Sequence, residues 1–276
     1  MKAIRFARAT ALVVIALAML GPLYLLVTNA FKSQEDIVGS PFGVPTDGFT
    51  LDNLYAAATS STFNVIEAYG TTALLVVAVN ILSIIVTGPA AYAIGRGVRR
   101  GHRVVLLLML AGLFIPTQAI VIPVIYVLKT LGLMGTVGGL VLFQTALTIP
   151  TTLFLFTALV QSIPRELDEA ARIDGASRIG TFWRVIFPLM RPAVATAVVL
   201  NAVGVWSDFV SPRLILGPGS GVYTVTTGVF AAVSKYSTDF TVVYANMLLA
   251  VVPVVVFYVL LQKRIIGGLT SGAVKG

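Results

Sequence analysis

Six long apolar stretches, separated by shorter polar segments, dominate the pattern of the chain. They cover Ala9–Ala30, Tyr69–Ile94, Val104–Leu128, Val137–Leu159, Ala193–Val210 and Val242–Leu261. Because a helix crosses the hydrocarbon core of a bilayer with about 20 predominantly apolar residues, each stretch can form one span. The pattern predicts an all-α polytopic membrane protein with six transmembrane helices. The first stretch exceeds the roughly 7–15 apolar residues of a secretory signal, so we predict a retained span.

Prolines interrupt most of these stretches, at positions 89, 116, 123, 150 and 253. A proline removes a helix hydrogen bond, and inside a membrane the freed carbonyl group needs another partner. Their number favours a bundle that encloses a cavity, with ordinary packing of bent helices as the alternative.

The composition supports a membrane protein. Hydrophobic residues make up 57% of the 276 residues and charged residues 11%, too few to cover a soluble domain of this size. The basic residues that give the net charge of +8 lie between the apolar stretches and not along one polar face, which argues against nucleic-acid binding. The chain has no cysteine, and its one histidine, His102, lies in the basic sequence RGVRRGHR, where we predict a solvated loop position and no metal site.

The basic residues also predict an orientation. The N-terminal segment, the second-to-third loop, the fourth-to-fifth loop and the C-terminal segment hold 3, 4, 5 and 3 of the 19 lysines and arginines. Because cytoplasmic loops carry the excess of basic residues, both termini are predicted to lie in the cytoplasm.

The polar segment 162–192, between the fourth and fifth spans, contains the sequence ELDEAARIDGAS. Ser162 and Pro164 predict a helix start, Gly175 predicts its end, and a second helix is expected from about Ser177 to Val185. The first helix has one mildly apolar face, formed by Leu167, Ala170, Ala171 and Ile173. Charged residues surround this face: Glu166, Asp168, Glu169, Arg172 and Asp174. The small residues favour docking in the groove of another protein, with a solvated loop helix as the alternative.

The order of residues in this segment resembles a known motif. Glu169-Ala170-Ala171 is followed after three residues by Gly175, and after nine more by Val185-Ile186-Phe187-Pro188. This order resembles the EAA motif of inner-membrane permeases of ATP-binding-cassette (ABC) importers, in which the last element is Ile-x-Leu-Pro. Both departures, Val185 and Phe187, are apolar.

The resemblance extends along nearly the whole chain and is strongest for carbohydrate permeases of the type of the second permease subunit of the maltose importer. It includes FTLDNL at 49–54, AAYAIGR at 90–96, IPTQAIVIPVIYVLKTLGLMGT at 115–136 and QKRIIGGLTSGAVKG at 262–276. Two sites depart from the family pattern. YGTTALL at 69–75 stands where Asn-Ser-Leu is common, and Trp206-Ser207-Asp208 stands where Trp-Asn-Asp or Trp-Asn-Glu is usual.

The resemblance implies a single permease domain over residues 1–276 that forms half of a sugar pathway. It implies a homologous second permease, two ATPase subunits that bind ATP and Mg²⁺, and an extracytoplasmic solute-binding protein as partners. The sequence has no G-x-x-x-x-G-K-[ST] phosphate loop, so we expect this chain not to supply the ATPase itself. The resemblance implies a transport subunit that is not an enzyme and binds no cofactor. The residues expected to couple transport to the ATPases are Glu169, Ala170, Ala171, Asp174, Gly175 and Pro188. The C-terminal tail is expected to reach the ATPase pair.

Polar and aromatic residues within the spans are candidates for the substrate pathway: Gln118, Gln144, Asn201, Trp206, Ser207, Asp208, Tyr244 and Asn246. Hydrogen bonds between helices are the alternative role for most of the amides. Asp208 has two possible roles. It either contacts the sugar or forms a gate, or it is an interfacial residue that pairs with Arg213 and caps a helix.

An ion-coupled secondary transporter of small polar solutes is the alternative function. It needs ionisable residues along the pathway, and Asp208 alone is a poor relay. A membrane-embedded enzyme is third, since no cluster of His, Asp and Glu suits metal or acid–base chemistry.

Overall fold

The structure is a computed structural model that describes residues 2–46, 48–59, 64–235 and 239–273; side chains are described from residue 8 onward, except at 218, 233–235, 258 and 260–273. All regular elements in these ranges are helical. The α-helices are α1 (Lys2–Asn29), α2 (Gln34–Gly39), α3 (Asp52–Thr59), α4 (Val65–Arg96), α5 (Arg100–Ala111), α6 (Thr117–Thr130), α7 (Val137–Ser162), α8 (Glu166–Ile173), α9 (Arg178–Thr181), α10 (Phe187–Leu189), α11 (Arg191–Ser207), α12 (Val210–Ile215), α13 (Val225–Lys235) and α14 (Phe240–Ala273). Short 3₁₀ helices cover Gly112–Phe114 and Pro218–Ser220, and a π-helix covers Phe182–Ile186.

Between four and six membrane spans are present among the described residues. Four helical stretches are long and apolar enough to cross a membrane: Arg8–Asn29, Val65–Arg96, Val137–Ser162 and Phe240–Phe257. Two further candidates are bent pairs of helices. Arg100–Phe114 and Thr117–Thr130 meet at 106°, and Arg178–Leu189 and Arg191–Ser207 meet at 76°.

Two of the predicted spans differ from the observed helices. The span predicted over Val104–Leu128 is broken at Ile115, which has extended backbone (φ −87°, ψ 116°), next to the interruption predicted at Pro116. The ring of Pro116 disfavours helical backbone in the residue before it, and Pro116 has no N–H to continue the helix. The span predicted over Ala193–Val210 instead ends at Ser207, and Asp208 is extended (φ −70°, ψ 124°) before α12 begins.

The chain divides into two compact units, one of residues 1–69 and 225–255 and the other of residues 70–224 and 256–276. In the first unit, the segment after α1 is tightly bonded. The fully buried Lys32 donates from Nζ to the carbonyl of Ser40 at 2.8 Å, and Asn53 Nδ2 donates to the carbonyl of Lys32 at 2.8 Å. The backbone N–H of Phe240 donates to Gln34 Oε1 at 2.8 Å. This polar connection is therefore a compact substructure with two short helices.

Helix α7 lies at the centre of the second unit, because it contributes to both of its hydrophobic clusters. One cluster combines Leu140 and Phe143 of α7 with buried residues of α4, α6, α11 and α12. The other combines the last two turns of α7 with the π-helix and with Ala91 of α4 and Ala197 of α11. Lipid tails are as apolar as these side chains, so the clusters stabilise the unit through van der Waals packing between the helices.

Two glycines of α4 permit close packing in the second cluster. A Cβ atom at Gly95 would lie 2.8 Å from Cγ1 of Val160, and one at Gly88 would lie 3.0 Å from Cζ of Phe182. Small residues let membrane helices approach closely, which increases their van der Waals contact.

We expect Gly95→Ala to lower the thermal unfolding temperature of the purified chain, because the added methyl group overpacks the contact with Val160 at a cost of about 1–3 kcal/mol. Gly70→Ala is the matched control on the same helix, since nothing lies within 4 Å of a Cβ there. Alanine is the better helix former, so the control should match or exceed the wild type. Equal unfolding temperatures for both variants would show that the approach of α4 to α7 is not tight.

Candidate functional site

A polar cavity of about 540 Å³ lies in the second unit, lined by residues of α6, α7, α11 and α12. Its polar lining consists of Thr117, Gln118, Gln144, Thr148, Thr151, Asn201, Ser207, Asp208 and Ser211. Its apolar lining consists of Leu147, Leu200, Gly204, Val205 and Val210. Cavities of about 300–1,000 Å³ hold small organic ligands in other proteins.

The cavity lies beside two of the helix breaks of the second unit. Thr117 starts α6 directly after the break at Pro116, and Ser207 and Asp208 lie at the break between α11 and α12. Non-helical backbone at membrane depth is tolerated where it is buried in protein or lines a cavity. The two interruptions therefore supply part of the polar lining of this site, and the interiors of α7 and α11 supply the rest.

Asp208 is held by hydrogen bonds from two directions. Its Oδ2 accepts from Gln144 Nε2 at 3.1 Å, and its Oδ1 accepts from the backbone N–H of Ser211 at 3.2 Å, which caps α12. No lysine or arginine is among the described residues that line the cavity. Asp208 thus caps α12 and places a carboxylate in the cavity wall, while its contact with a sugar and its pairing with Arg213 stay predictions.

Gln144 supplies an acceptor that the protein leaves unused. Its side chain is buried, and its Oε1 has no hydrogen-bond partner among the described residues. A buried polar atom without a partner costs about 1–3 kcal/mol, so a hydroxyl donor that reaches this oxygen is favoured.

Asn201 is engaged in contacts between helices. Its Nδ2 donates to Thr152 Oγ1 at 3.2 Å, and Ser83 Oγ lies 3.3 Å from the same atom. These three buried side chains join α4, α7 and α11. Asn201 lines the cavity, but its amide forms a hydrogen bond between helices, which is the alternative role that the sequence allowed for the amides.

The structure brings together five of the predicted pathway residues in this cavity: Gln118, Gln144, Asn201, Ser207 and Asp208. The other three do not line it. Trp206 is half-buried next to the cavity residues along the chain, and Tyr244 and Asn246 lie on α14 within the first unit. Asn246 Nδ2 donates to the carbonyl of Val242, one turn earlier, at 2.9 Å.

The segment 162–192 folds into two short helices joined at Gly175. Three acidic residues in the first turn of α8 complement the positive end of its dipole. Gly175 has φ +81°, its N–H donates to the carbonyl of Arg172 at 3.0 Å, and the N–H of Ala176 donates to that of Ala171 at 2.9 Å. These two bonds form a Schellman motif, which satisfies carbonyl groups at the helix end. The predicted helix end at Gly175 is confirmed.

The other boundaries of this segment differ from the prediction. Ser162 is the last residue of α7 and donates to the carbonyl of Leu159, so the first short helix begins only at Glu166. The second helix begins as predicted after Ser177, whose Oγ accepts from the N–H of Gly180 at 3.1 Å. It becomes a π-helix at Phe182 instead of continuing as one α-helix to Val185.

The apolar face predicted for α8 is divided between two sides of the helix. Ala171 is buried within the chain, whereas Ile173 is 87% exposed and Leu167 is 38% exposed. Among the predicted coupling residues, those at the surface are Glu169, Ala170, Asp174 and Gly175, and Pro188 in α10 is half-buried.

A buried carboxylate, Asp168, fixes α8 to the end of α4. Its Oδ1 accepts a hydrogen bond from Tyr92 Oη at 2.5 Å, and its Oδ2 lies 2.7 Å from Arg96 Nη2 as an ion pair. Arg96 also donates from Nη1 to the carbonyl of Ile163 at 2.8 Å. Sequence reasoning placed Asp168 on the charged surface and missed this contact. The available signal was the i, i+4 spacing of Tyr92 and Arg96, which puts both on one face of a helix.

The chain belongs to the family of binding-protein-dependent transport system inner membrane components, whose family model matches residues 88–267. This range includes the cavity, α8 and the contact of Asp168. The chain is therefore a multi-pass membrane transport component, and the alternative of an ion-coupled secondary transporter is wrong.

Two relatives match nearly the whole chain. The multiple sugar-binding transport system permease protein MsmG of Streptococcus mutans is 34% identical over 260 residues, with 92% of this chain and 91% of that protein covered. The diacetylchitobiose uptake system permease protein NgcG of Streptomyces coelicolor is 31% identical over 253 residues, with 91% and 82% covered. These relatives confirm the resemblance to carbohydrate-type ABC permeases.

A solved structure shares the fold. It is the crystal structure of a bacterial ABC transporter involved in the import of the acidic polysaccharide alginate. One of its chains superposes with a TM-score of 0.81 at 23% identity, with 95% of this chain and 96% of that chain covered.

We expect Gly175→Val to open the turn after α8, because a β-branched residue is strongly disfavoured at positive φ. No atom lies within 4 Å of a Cβ at this position, so the effect is one of backbone conformation and not of crowding. Gly175→Asn is the control, since asparagine tolerates this conformation best after glycine. Hydrogen–deuterium exchange of the purified chain should show faster exchange at positions 175 and 176 in the valine variant only. Wild-type protection in Gly175→Val would contradict a requirement for positive φ.

Proposed function

We propose that this chain forms half of the sugar pathway of an ABC importer in the bacterial cytoplasmic membrane. Its partners are a homologous permease, two ATPase subunits that bind ATP and Mg²⁺, and an extracytoplasmic solute-binding protein. The names of the relatives, which refer to sugar-binding transport and to diacetylchitobiose uptake, support this substrate class.

The observation that carries the proposal is the pairing of Gln144 and Asp208 in the wall of the cavity. A carboxylate and a free amide oxygen both accept hydrogen bonds from hydroxyl groups, which a sugar offers in number. Leu147, Leu200 and Val205 suit the apolar faces of sugar rings. The absence of a cation among the described lining residues favours an uncharged sugar over an acidic one.

Six spans result when each bent pair of helices is counted as one span. The concentration of basic residues in four segments supports cytoplasmic termini and a cytoplasmic position for α8. The side chains of the C-terminal tail after position 259 lie outside the described residues, so its proposed reach to the ATPases rests on the resemblance.

Helix α8 is the proposed point at which ATP hydrolysis acts on the pathway. Its exposed side, with Glu169, Ala170 and Asp174, docks in a groove of an ATPase subunit. Ala171 and Pro188 hold the segment from within, and the turn at Gly175 fixes α8 to α9. Through Asp168, a displacement of α8 moves the end of α4, which packs against α7 and thereby against a wall of the cavity.

We expect Gln144→Met to reduce sugar uptake about tenfold in proteoliposomes that contain the whole importer. The change removes an acceptor for the sugar and a donor to Asp208, and hydrogen bonds to charged groups are worth about 1.5–3 kcal/mol. Stimulation of the ATPase by the loaded binding protein should persist, because α8 is untouched.

Asn80→Leu is the matched control for this experiment. Asn80 is a buried amide on α4 that also has an unpartnered oxygen, yet it does not line the cavity. Uptake by this variant should stay within about twofold of the wild type. Equal losses in the two variants would assign Gln144 to helix packing and not to the pathway.

We expect Asp168→Asn to uncouple the importer, because removing one charge from a buried pair destabilises the contact by about 3–5 kcal/mol and frees α8 from α4. The number of sugar molecules imported for each ATP hydrolysed should fall severalfold in the reconstituted importer. Glu166→Gln, an exposed carboxylate of the same helix, should leave this ratio unchanged.

The exchanged pair Arg96→Asp with Asp168→Arg should recover part of the lost coupling, since it restores the ion pair with reversed sign. An unchanged ratio in Asp168→Asn would refute the role of this contact in coupling. It would leave the assignment of the cavity intact, because the two sites are tested by different variants.

A further inference from the structure

A second cavity, of about 790 Å³, lies beside α8 and has a different chemistry from the first. It is bounded by the end of α4, the start of α5, and the region from α8 to the π-helix. Its basic lining comprises Arg96, Arg99, His102, Arg172 and Arg178, and no aspartate or glutamate is among the described lining residues.

Three of the arginines have no hydrogen-bond or ion-pair partner among the described residues. The guanidinium groups of Arg99, Arg172 and Arg178 make no hydrogen bond or ion pair within the described part of the structure, where Arg96 alone pairs with Asp168. Like charges on one cavity wall repel each other, and an anion that binds between them relieves this repulsion. Arginine also offers a planar fork of N–H donors that matches phosphate oxygens.

Two buried nitrogen atoms of the same cavity also lack hydrogen bonds: Nε of Arg96 and Nδ1 of His102. Buried polar atoms without partners are rare in folded proteins, and each calls for an explanation such as a bound ligand. His102 is half-buried at the start of α5, so the predicted solvated loop position is wrong. The fold of the segment 97–102 turns its ring back against the backbone at Gly97.

The rim of the cavity is apolar and exposed. Val98 is 84% exposed, Ile179 is 73% exposed, and the ring of Trp183 is 39% exposed. The cavity begins at Arg96, the last residue of the candidate span Val65–Arg96, which places it at the level where lipid headgroups meet a membrane protein. Tryptophan is enriched at this level, and basic pockets beside membrane helices on the cytoplasmic side bind anionic headgroups.

We propose that this cavity binds the phosphodiester headgroup of an anionic membrane phospholipid, with the acyl chains along Val98 and Ile179. An inorganic phosphate or a nucleotide satisfies the arginines but leaves the exposed apolar rim uncovered, which favours a lipid. The bound headgroup bridges Arg99 before α5 to Arg172 of α8 and Arg178 of α9. It therefore holds the segment 162–192 against the end of α4. The site does not depend on which solute the chain transports; only the choice of the cytoplasmic leaflet rests on the proposed function.

The test measures lipid retention by the assembled importer, purified from nanodiscs that contain phosphatidylglycerol and phosphatidylcholine. Native mass spectrometry across a phosphatidylglycerol titration gives the apparent affinity. We expect the wild type to prefer phosphatidylglycerol at least about tenfold. Arg99→Gln combined with Arg178→Gln should weaken its binding about thirtyfold, which corresponds to about 1 kcal/mol for each arginine removed.

Arg100→Gln combined with Arg184→Gln is the matched control. Both residues are exposed, both neighbour the same segments, and neither lines the cavity. This variant should retain the preference of the wild type. Arg99→Lys combined with Arg178→Lys keeps the charge and should retain most of the binding. The site can therefore still be tested if the glutamine variant fails to fold.

Three results would overturn the proposal. One is a wild type without preference for phosphatidylglycerol. Another is an equal loss in the cavity variant and its control, which would indicate a diffuse surface effect. The third is displacement of the lipid by millimolar inorganic phosphate or ATP, which would identify a soluble anion as the ligand. Sugar uptake plays no part in these measurements, so their failure would leave the transport function untouched.

Discussion

The position of α8 depends on one buried carboxylate, that of Asp168. A charge in such surroundings is stable only when it is paired and hydrogen-bonded, and the two groups that satisfy it, Tyr92 and Arg96, both belong to α4. This contact attaches α8, whose other side is exposed, to the end of α4, a helix long enough to cross the membrane. A solvated loop helix of eight residues has little stability of its own, so this attachment supports the proposed role of α8 as a lever.

A second constraint bears on the cavity. Inside a membrane, every backbone polar group needs a hydrogen-bond partner. Pro116 and Asp208 interrupt helices, and the structure places both interruptions at one site where side chains and the cavity replace lipid. Polar groups cluster there because the broken backbone requires them. The same site consequently offers hydrogen-bond acceptors to a hydroxyl-rich solute.

Local chemistry made part of this structure predictable. The end of α8 at Gly175 and the start of α9 after Ser177 depend on a few neighbouring atoms, and both were read from the sequence. Gln144 and Asp208 line one polar cavity, and their place along a substrate pathway stays a prediction.

Properties that depend on distant contacts were not predictable from the chain. Asp168 has the same sequence signature as its exposed neighbours, and its burial depends on how closely α4 approaches, which Gly95 and Gly88 permit. Pro116 was predicted to interrupt its apolar stretch, but hydropathy carries no information on backbone direction, so the size of the bend, 106°, was not predicted. The division of Ala170 and Ala171 between outside and inside has the same cause, because neighbouring contacts decide which side of α8 is covered.

The most direct test of the central claim is a distance measurement between α4 and α8 during the transport cycle. The chain has no cysteine, so Ile85→Cys and Glu166→Cys, both at exposed positions, allow specific spin labelling in the assembled importer. Double electron–electron resonance should give the same distance, within about 2 Å, in nucleotide-free and ATP-bound states, because the Asp168 contact makes the two helices move together. A distance that changes by more than this between the two states of an active importer would contradict rigid transmission through α8.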